Sequence, residues 1–249
     1  MPTSLLPARR GLRAALLASV WVDASAMSVP ANAQVSGTWT GPGAEWTTGT
    51  NWSSNPTVPD NIATFTNNGA PTSVTISSTT SIGTIQFNAA APAYSFTVNL
   101  ALFEINGSGI VNSSAFAPSF TNNGAITFTN SSSAGNSSIT SNSLFTLSFT
   151  DTSTAGSATI TSNGAFTQFT TNSNGGSARF ITDTSGVVDF SGTSGPSGNN
   201  QITAGSIEGA GTYFLGSNQL TVGSNNLSTT VSGEIQDGGS LGGSRASLV

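Results

Sequence analysis

Two groups of residues in this chain have types and spacings that could do chemistry. The first is aromatic: Trp39, Trp46 and Trp52 fall in one short run. Flat indoles this close can stack on sugar rings, which makes the three candidate glycan contacts. The second is acidic: Asp183 and Asp189 flank Val187-Val188, with Asp151 upstream and Arg179 as a nearby cation. Clustered carboxylates can serve as general acid and base on a polysaccharide, or supply oxygen ligands to calcium.

Against both readings stands what the chain lacks. It has no Cys and no His, and its five basic residues are all Arg: Arg9, Arg10, Arg13, Arg179 and Arg245. Imidazole and thiolate chemistry, disulfides and the usual zinc ligands are therefore gone. Ser and Thr are too numerous for any one to stand out as a nucleophile. The carboxylates read best as solvated turn residues, and the Trp residues as a cap over an open apolar end. No catalytic, cofactor or metal residue is assigned, and the chain is not read as an enzyme. Asp237-Gly-Gly-Ser-Leu-Gly-Gly-Ser244 has a calcium-loop flavour but only one copy, so it reads as a turn. The sequons at Asn112 and Asn136 are expected by chance in so Asn/Ser-rich a chain.

Charge narrows the partners. From Gln34 onward two Arg face nine carboxylates, a net charge of −7. A nucleic-acid or anionic-membrane surface needs Lys and Arg to neutralise phosphates, so both are excluded.

The N-terminus has the layout of a secretory signal. Arg9, Arg10 and Arg13 form a basic start, Ala14–Val22 a short apolar run, and Ala31-Asn-Ala33 a small-x-small site. Cleavage is expected between Ala33 and Gln34. The apolar run is far shorter than the ~20 residues of a membrane-spanning helix.

The elements that must position any site come from a repeat. Ala134–Asn142, Ala155–Asn163 and Gly175–Asp183 echo one another, and Phe128, Phe149 and Phe169 stand at one fixed distance before Gly135, Gly156 and Gly176. The period is 21, then 20. Repeats of this kind mark a solenoid, whose turns bury apolar faces only by stacking on neighbours. Within each period, segments such as Ser73–Ser77, Thr84–Phe87, Ser95–Asn99 and Ile126–Thr129 alternate polar and apolar residues, the signature of half-buried strands. Asn-Gly pairs at Asn68, Asn106, Asn123 and Asn163 read as turns. Phe128, Phe149, Phe169 and Phe190 are expected to line one wall, and Ile139, Ile160, Phe180 and Ile202 another, with Ile105 one period before Ile126.

These residues carry a resemblance. Phe120–Phe128, the Ala-Gly-x-x-x-Ile-Thr-Ser-Asn repeats and Ala204–Asn226 resemble passenger regions of bacterial autotransporters, the type V secretion proteins. Leu227–Gly239 is similar to the lead-in of the passenger-associated transport repeat, although the Lys-x-Gly-x-Gly-Thr-Leu strand that follows it in the family is not found here. The opening with Trp39, Trp52 and Pro59-Asp60 is similar to the family's first mature coil. The resemblance implies a right-handed parallel β-helix, exported through the periplasm and displayed at the cell surface by an outer-membrane β-barrel translocator. No ~10-residue barrel strands with aromatic girdles follow, so the translocator is expected C-terminal to this chain and the passenger is read as truncated.

The sequence thus predicts an all-β chain: a signal peptide over 1–33, an N-terminal aromatic cap over 34–60, and a parallel β-helix of about eight coils over 61–249. The expected role is a secreted or surface-exposed structural or adhesive passenger without catalysis, with host or matrix glycans as candidate ligands. The alternative is a carbohydrate-active enzyme or glycan-binding module on the same β-helix.

Overall fold

The computed structural model describes residues 33–249, and the compact unit runs from Gln34 to Val249. The predicted leader falls outside the described residues except for Ala33, which is exposed, as is Gln34. Strands stack in parallel to form a β-solenoid of about nine turns, one more than the repeat suggests. At ~4.8 Å between strands the stack is roughly 40 Å tall.

Three walls build it. The first stacks Ser73–Ile76 on 95–98, 119–122, Ser138–Ser141, Thr159–Ser162, Arg179–Thr182 and Ser206–Gly209. The second stacks 80–82 on 103–105, 125–128, Thr146–Phe149, 166–169, 187–189, 212–214 and 234–236. The third runs from Gly37–Thr38 through Ile62–Phe65, 84–87 and 109–112, then continues as single bridges at Ser133, Thr154 and Asn174. A separate three-stranded sheet, Gln201–Thr203, Gln219–Thr221 and Ser247–Leu248, follows. Asn174 splices the two: its Oδ1 accepts from Thr203 N (2.7 Å) and its Nδ2 donates to Thr203 Oγ1 (2.9 Å).

The alternation read from the sequence is the alternation of burial. In 138–141, 146–149, 159–162 and 179–182 every second residue is buried and the others half-buried. A pleat sends successive side chains to opposite faces, so one row of each strand enters the core. Phe128, Phe149 and Phe169 pair in register and stack their rings 4.9 and 4.8 Å apart. Phe190 continues the column at 4.6 Å, across a register shift between Gln168 and Thr170.

Two expected ladders are corrected. Phe180 pairs with Ile207 rather than Ile202, which belongs to the other sheet and pairs with Leu220. The loop 194–200 lengthens that turn, so the first-wall strand that stacks on Arg179 begins only at Ser206. Ile105 likewise pairs with Phe128, and Ile126 with Phe103, because the coil there is longer than the next one. Single strands run on through Asn106-Gly107 and Asn122–Gly124, where the pairing shifts register, so these pairs bend a strand rather than end it.

The recurrent Ala-Gly has a steric cause. Gly135, Gly156 and Gly176 adopt φ of 59, 62 and 62°. A Cβ at these positions would lie 2.4–2.7 Å from a carbonyl oxygen of the preceding coil. Only glycine supplies both the left-handed turn and the close approach.

Candidate functional site

Backbone pairing fixes the three indoles. Trp39 N donates to Thr64 O and Trp46 N to Thr75 O, each at 2.8 Å, which hangs the first level on the third and first walls. The 3-10 turn Gly49–Asn51 then brings Trp52 back beneath them. Trp52 meets Trp39 and Trp46 edge-on, with centroids 5.0 and 4.8 Å apart, and Trp46 packs 5.3 Å from Phe103. Trp39 Nε1 donates to Pro71 O (2.9 Å) and Trp52 Nε1 to Trp46 O (2.7 Å). Their exposures are 0, 0 and 1%. A sugar platform must offer a ring face to solvent, and none of the three does. The glycan-contact expectation for Trp39, Trp46 and Trp52 is therefore corrected: the cluster is core, on the strand level that ends the sheet.

The carboxylates do not assemble into a groove. Asp189 lies on the second wall, 1% exposed, and accepts from Ser191 N, Ser240 N and Ser240 Oγ at 2.7–2.8 Å. It ties the 239–241 loop back onto the strands across 51 residues of sequence. Asp183 sits exposed after a first-wall strand and accepts from Gly164 N (2.8 Å) and Ser185 N (3.0 Å). Asp151, at φ 56°, follows a second-wall strand and accepts from Asn130 N (2.8 Å). Arg179 pairs with Glu208 on the next first-wall strand, its Nε donating at 2.7 Å. Asp237 accepts from Arg245 N and Ala246 N, closing the glycine-rich turn. Each acid is engaged in holding backbone or a neighbouring level.

The surface features that sequence reasoning missed are apolar. Leu100 and Leu144 are 82 and 94% exposed and hold φ of 53 and 72°, which leucine adopts only under strain. They stand two levels apart on one corner. Between them Ala101, Gly124, Ala125 and Phe145 line a notch of ≈ 380 Å³. A leucine inside the Asn/Ser-rich turn 142–144 was the available signal. A second apolar surface lies at the far end. Ile235 occupies the inward register position beside Tyr213, yet is 37% exposed, since among the described residues no further strand packs on it. With Ile207, Val222, Val231 and Leu248 it lines a cavity of ≈ 520 Å³. These surfaces suit contact with another molecule or another coil.

In comparisons with known proteins, no family model matches the chain, and neither a curated protein nor a solved structure does.

Proposed function

We propose that this chain is an exported passenger segment whose work is mechanical: a β-solenoid stalk presenting a sparsely charged, Asn/Ser/Thr-lined surface for adhesion. The observation that carries the reading is the single buried core that runs from Trp39 through Phe65 to Phe190, with Phe128, Phe149, Phe169 and Phe190 stacked ring on ring along its second wall. Each level buries apolar side chains on the one before, at ~1.5–3 kcal/mol per side chain before ordering entropy. A Cys-free, low-charge chain crosses a pore extended and then folds coil on coil, so stacking pulls the remainder outward.

On this reading the Trp cluster closes the first level, and the open face around Ile235 seats a following coil. An outer-membrane β-barrel translocator is the partner required, and matrix or host glycans are the adhesive targets.

The test is delivery. The chain is joined at Val249 to a bacterial outer-membrane barrel and produced in a host that exports it. The expected result is a mature chain starting at Gln34 and accessible to protease on intact cells. A Phe149→Asp/Phe169→Asp double variant is expected to stall in the periplasm. Uncleaved cytoplasmic protein, or full delivery of the double variant, overturns the reading.

A further inference from the structure

Asp183 has no partner acid, but it does touch a reactive backbone. Its Oδ1 accepts the N–H of Gly164 at 2.8 Å, and Gly164 follows Asn163. In an Asn-Gly pair the glycine nitrogen is the nucleophile that attacks the asparagine side-chain carbonyl, because no side chain hinders its approach. A carboxylate within hydrogen-bond reach of that N–H is placed as a general base.

The chain has five Asn-Gly pairs, and the structure treats them differently. Asn174 has both ends of its amide on Thr203. Asn123 Oδ1 accepts from Asn142 Nδ2 at 2.6 Å, and the N–H of Gly124 is held by Asn122 Oδ1. Asn106 Nδ2 donates to Ser81 Oγ at 2.9 Å. Asn68 precedes Gly69, which is wedged so tightly that a Cβ there would lie 2.5–2.8 Å from Tyr94 and Trp39. Asn163 is half-buried at a corner, its side-chain amide has no hydrogen-bond partner among the described residues, and Gly164 beside it is also partly exposed.

We propose that Asn163-Gly164 is a site of spontaneous deamidation assisted by Asp183. Gly164 N bonds to Asn163 Cγ while its proton passes to the Asp183 carboxylate. That proton is returned to the departing Nδ2, the Cγ–Nδ2 bond breaks and ammonia leaves, giving a succinimide. Water then opens the ring at either carbonyl, leaving aspartate or isoaspartate at 163. The sum is amide plus water to acid plus ammonia, with no redox change. The consequence is local. Asn163 and Asp183 occupy equivalent places on successive levels, their N–H groups donating to Ser141 O and Ser162 O. A carboxylate at 163 therefore faces a like charge one coil away, and an isoaspartate adds a carbon to the main chain at a first-wall strand end. The change is one-way, so it records the age of the folded chain.

The experiment incubates the intact mature chain in warm, mildly alkaline buffer and maps it with chymotrypsin. The fragment Thr150–Phe166 contains Asn163 as its only side-chain amide, so a gain in mass and in isoaspartyl methylation there is unambiguous. Conversion at Asn163 is expected to run severalfold faster than at Asn106, Asn123 and Asn174. Asp183→Asn is expected to slow Asn163 alone, with circular dichroism unchanged. Conversion at Asn163 no faster than at the tied asparagines overturns the proposal, and this ranking needs no variant. An unchanged or raised rate in Asp183→Asn overturns the role of the carboxylate.

Discussion

Phe149 and Phe169 stand one coil apart with ring centroids separated by 4.8 Å and planes 6° from parallel. That distance is the strand spacing itself, so the ring column and the backbone ladder share one repeat. The two rings belong to successive turns of the chain, which makes the core a sum of neighbour contacts rather than a single long-range knot. Removing one ring should therefore weaken two interfaces and leave distant levels folded.

Phe149→Ala is expected to cost about 3–5 kcal/mol, the usual range for a fully buried phenylalanine. Hydrogen exchange read by mass spectrometry should show protection lost first in 125–149 and 166–169 and retained in 62–87. Uniform loss over the whole chain would contradict nearest-neighbour stacking.

Trp46→Ala and Trp52→Ala should behave as core variants. Each is expected to lower stability by about 3–5 kcal/mol in urea unfolding. Tryptophan fluorescence of the chain starting at Gln34 should not respond to added oligosaccharides, because among the described residues no indole face is open. A saturable shift would restore the glycan reading of these residues.

Leu144 offers the opposite sign. Its exposed side chain gains little from burial, while φ 72° holds it in the left-handed region. Leu144→Asn is expected to raise stability by about 1 kcal/mol, since asparagine tolerates that backbone. Thermal unfolding of the pair checks it, and a loss of stability would mean that the leucine packs on something in solution.

Alkaline pH should loosen the C-terminal levels. Burial raises the Tyr213 hydroxyl pKa to about 12, and polar contacts with Thr182 and Glu208 only partly oppose it. Its oxygen accepts from Glu208 N and donates to Phe180 O or Glu208 O. Below pH ~10 the tyrosine is neutral in both the folded and unfolded chain, so its full contribution is present. Between about 10 and 12 only the unfolded chain ionises it, and stability falls by roughly 2–3 kcal/mol in all. Tyr213→Phe should flatten that slope in denaturant titrations against pH.

Asp189→Asn tests the tether. The variant keeps the size but loses the charge that binds Ser240 N and Oγ. A cost of about 1–3 kcal/mol is expected, with new proteolysis confined to 238–243. Cleavage elsewhere would show that Asp189 supports the second wall rather than the loop.

Much of this architecture is legible in the sequence because its cause is local and periodic. Coils of fixed length give a regular step, so Phe128, Phe149 and Phe169 fall on one wall from their spacing alone. Legibility ends where coil length changes. Ile202 follows Phe180 at a distance that resembles one more repeat, whereas the 194–200 loop moves the true neighbour, Ile207, to a later position. Ile105 and Ile126 mislead for the same reason. The fate of the Trp residues is only half legible: their spacing says that they cluster, and burial alone chooses between platform and core.

Composition and period determined that this chain is a parallel stack of short strands with an apolar interior, because only neighbouring coils can bury such a pattern. Tertiary structure decided everything that depends on which coil meets which. It separated Asp151, Asp183 and Asp189 onto different strands and corners, sent Asp189 to hold Ser240, and set Asp183 on the amide of Gly164. Those contacts cross 19 to 51 residues of sequence, and their partners are fixed by loop lengths that a repeat pattern does not encode.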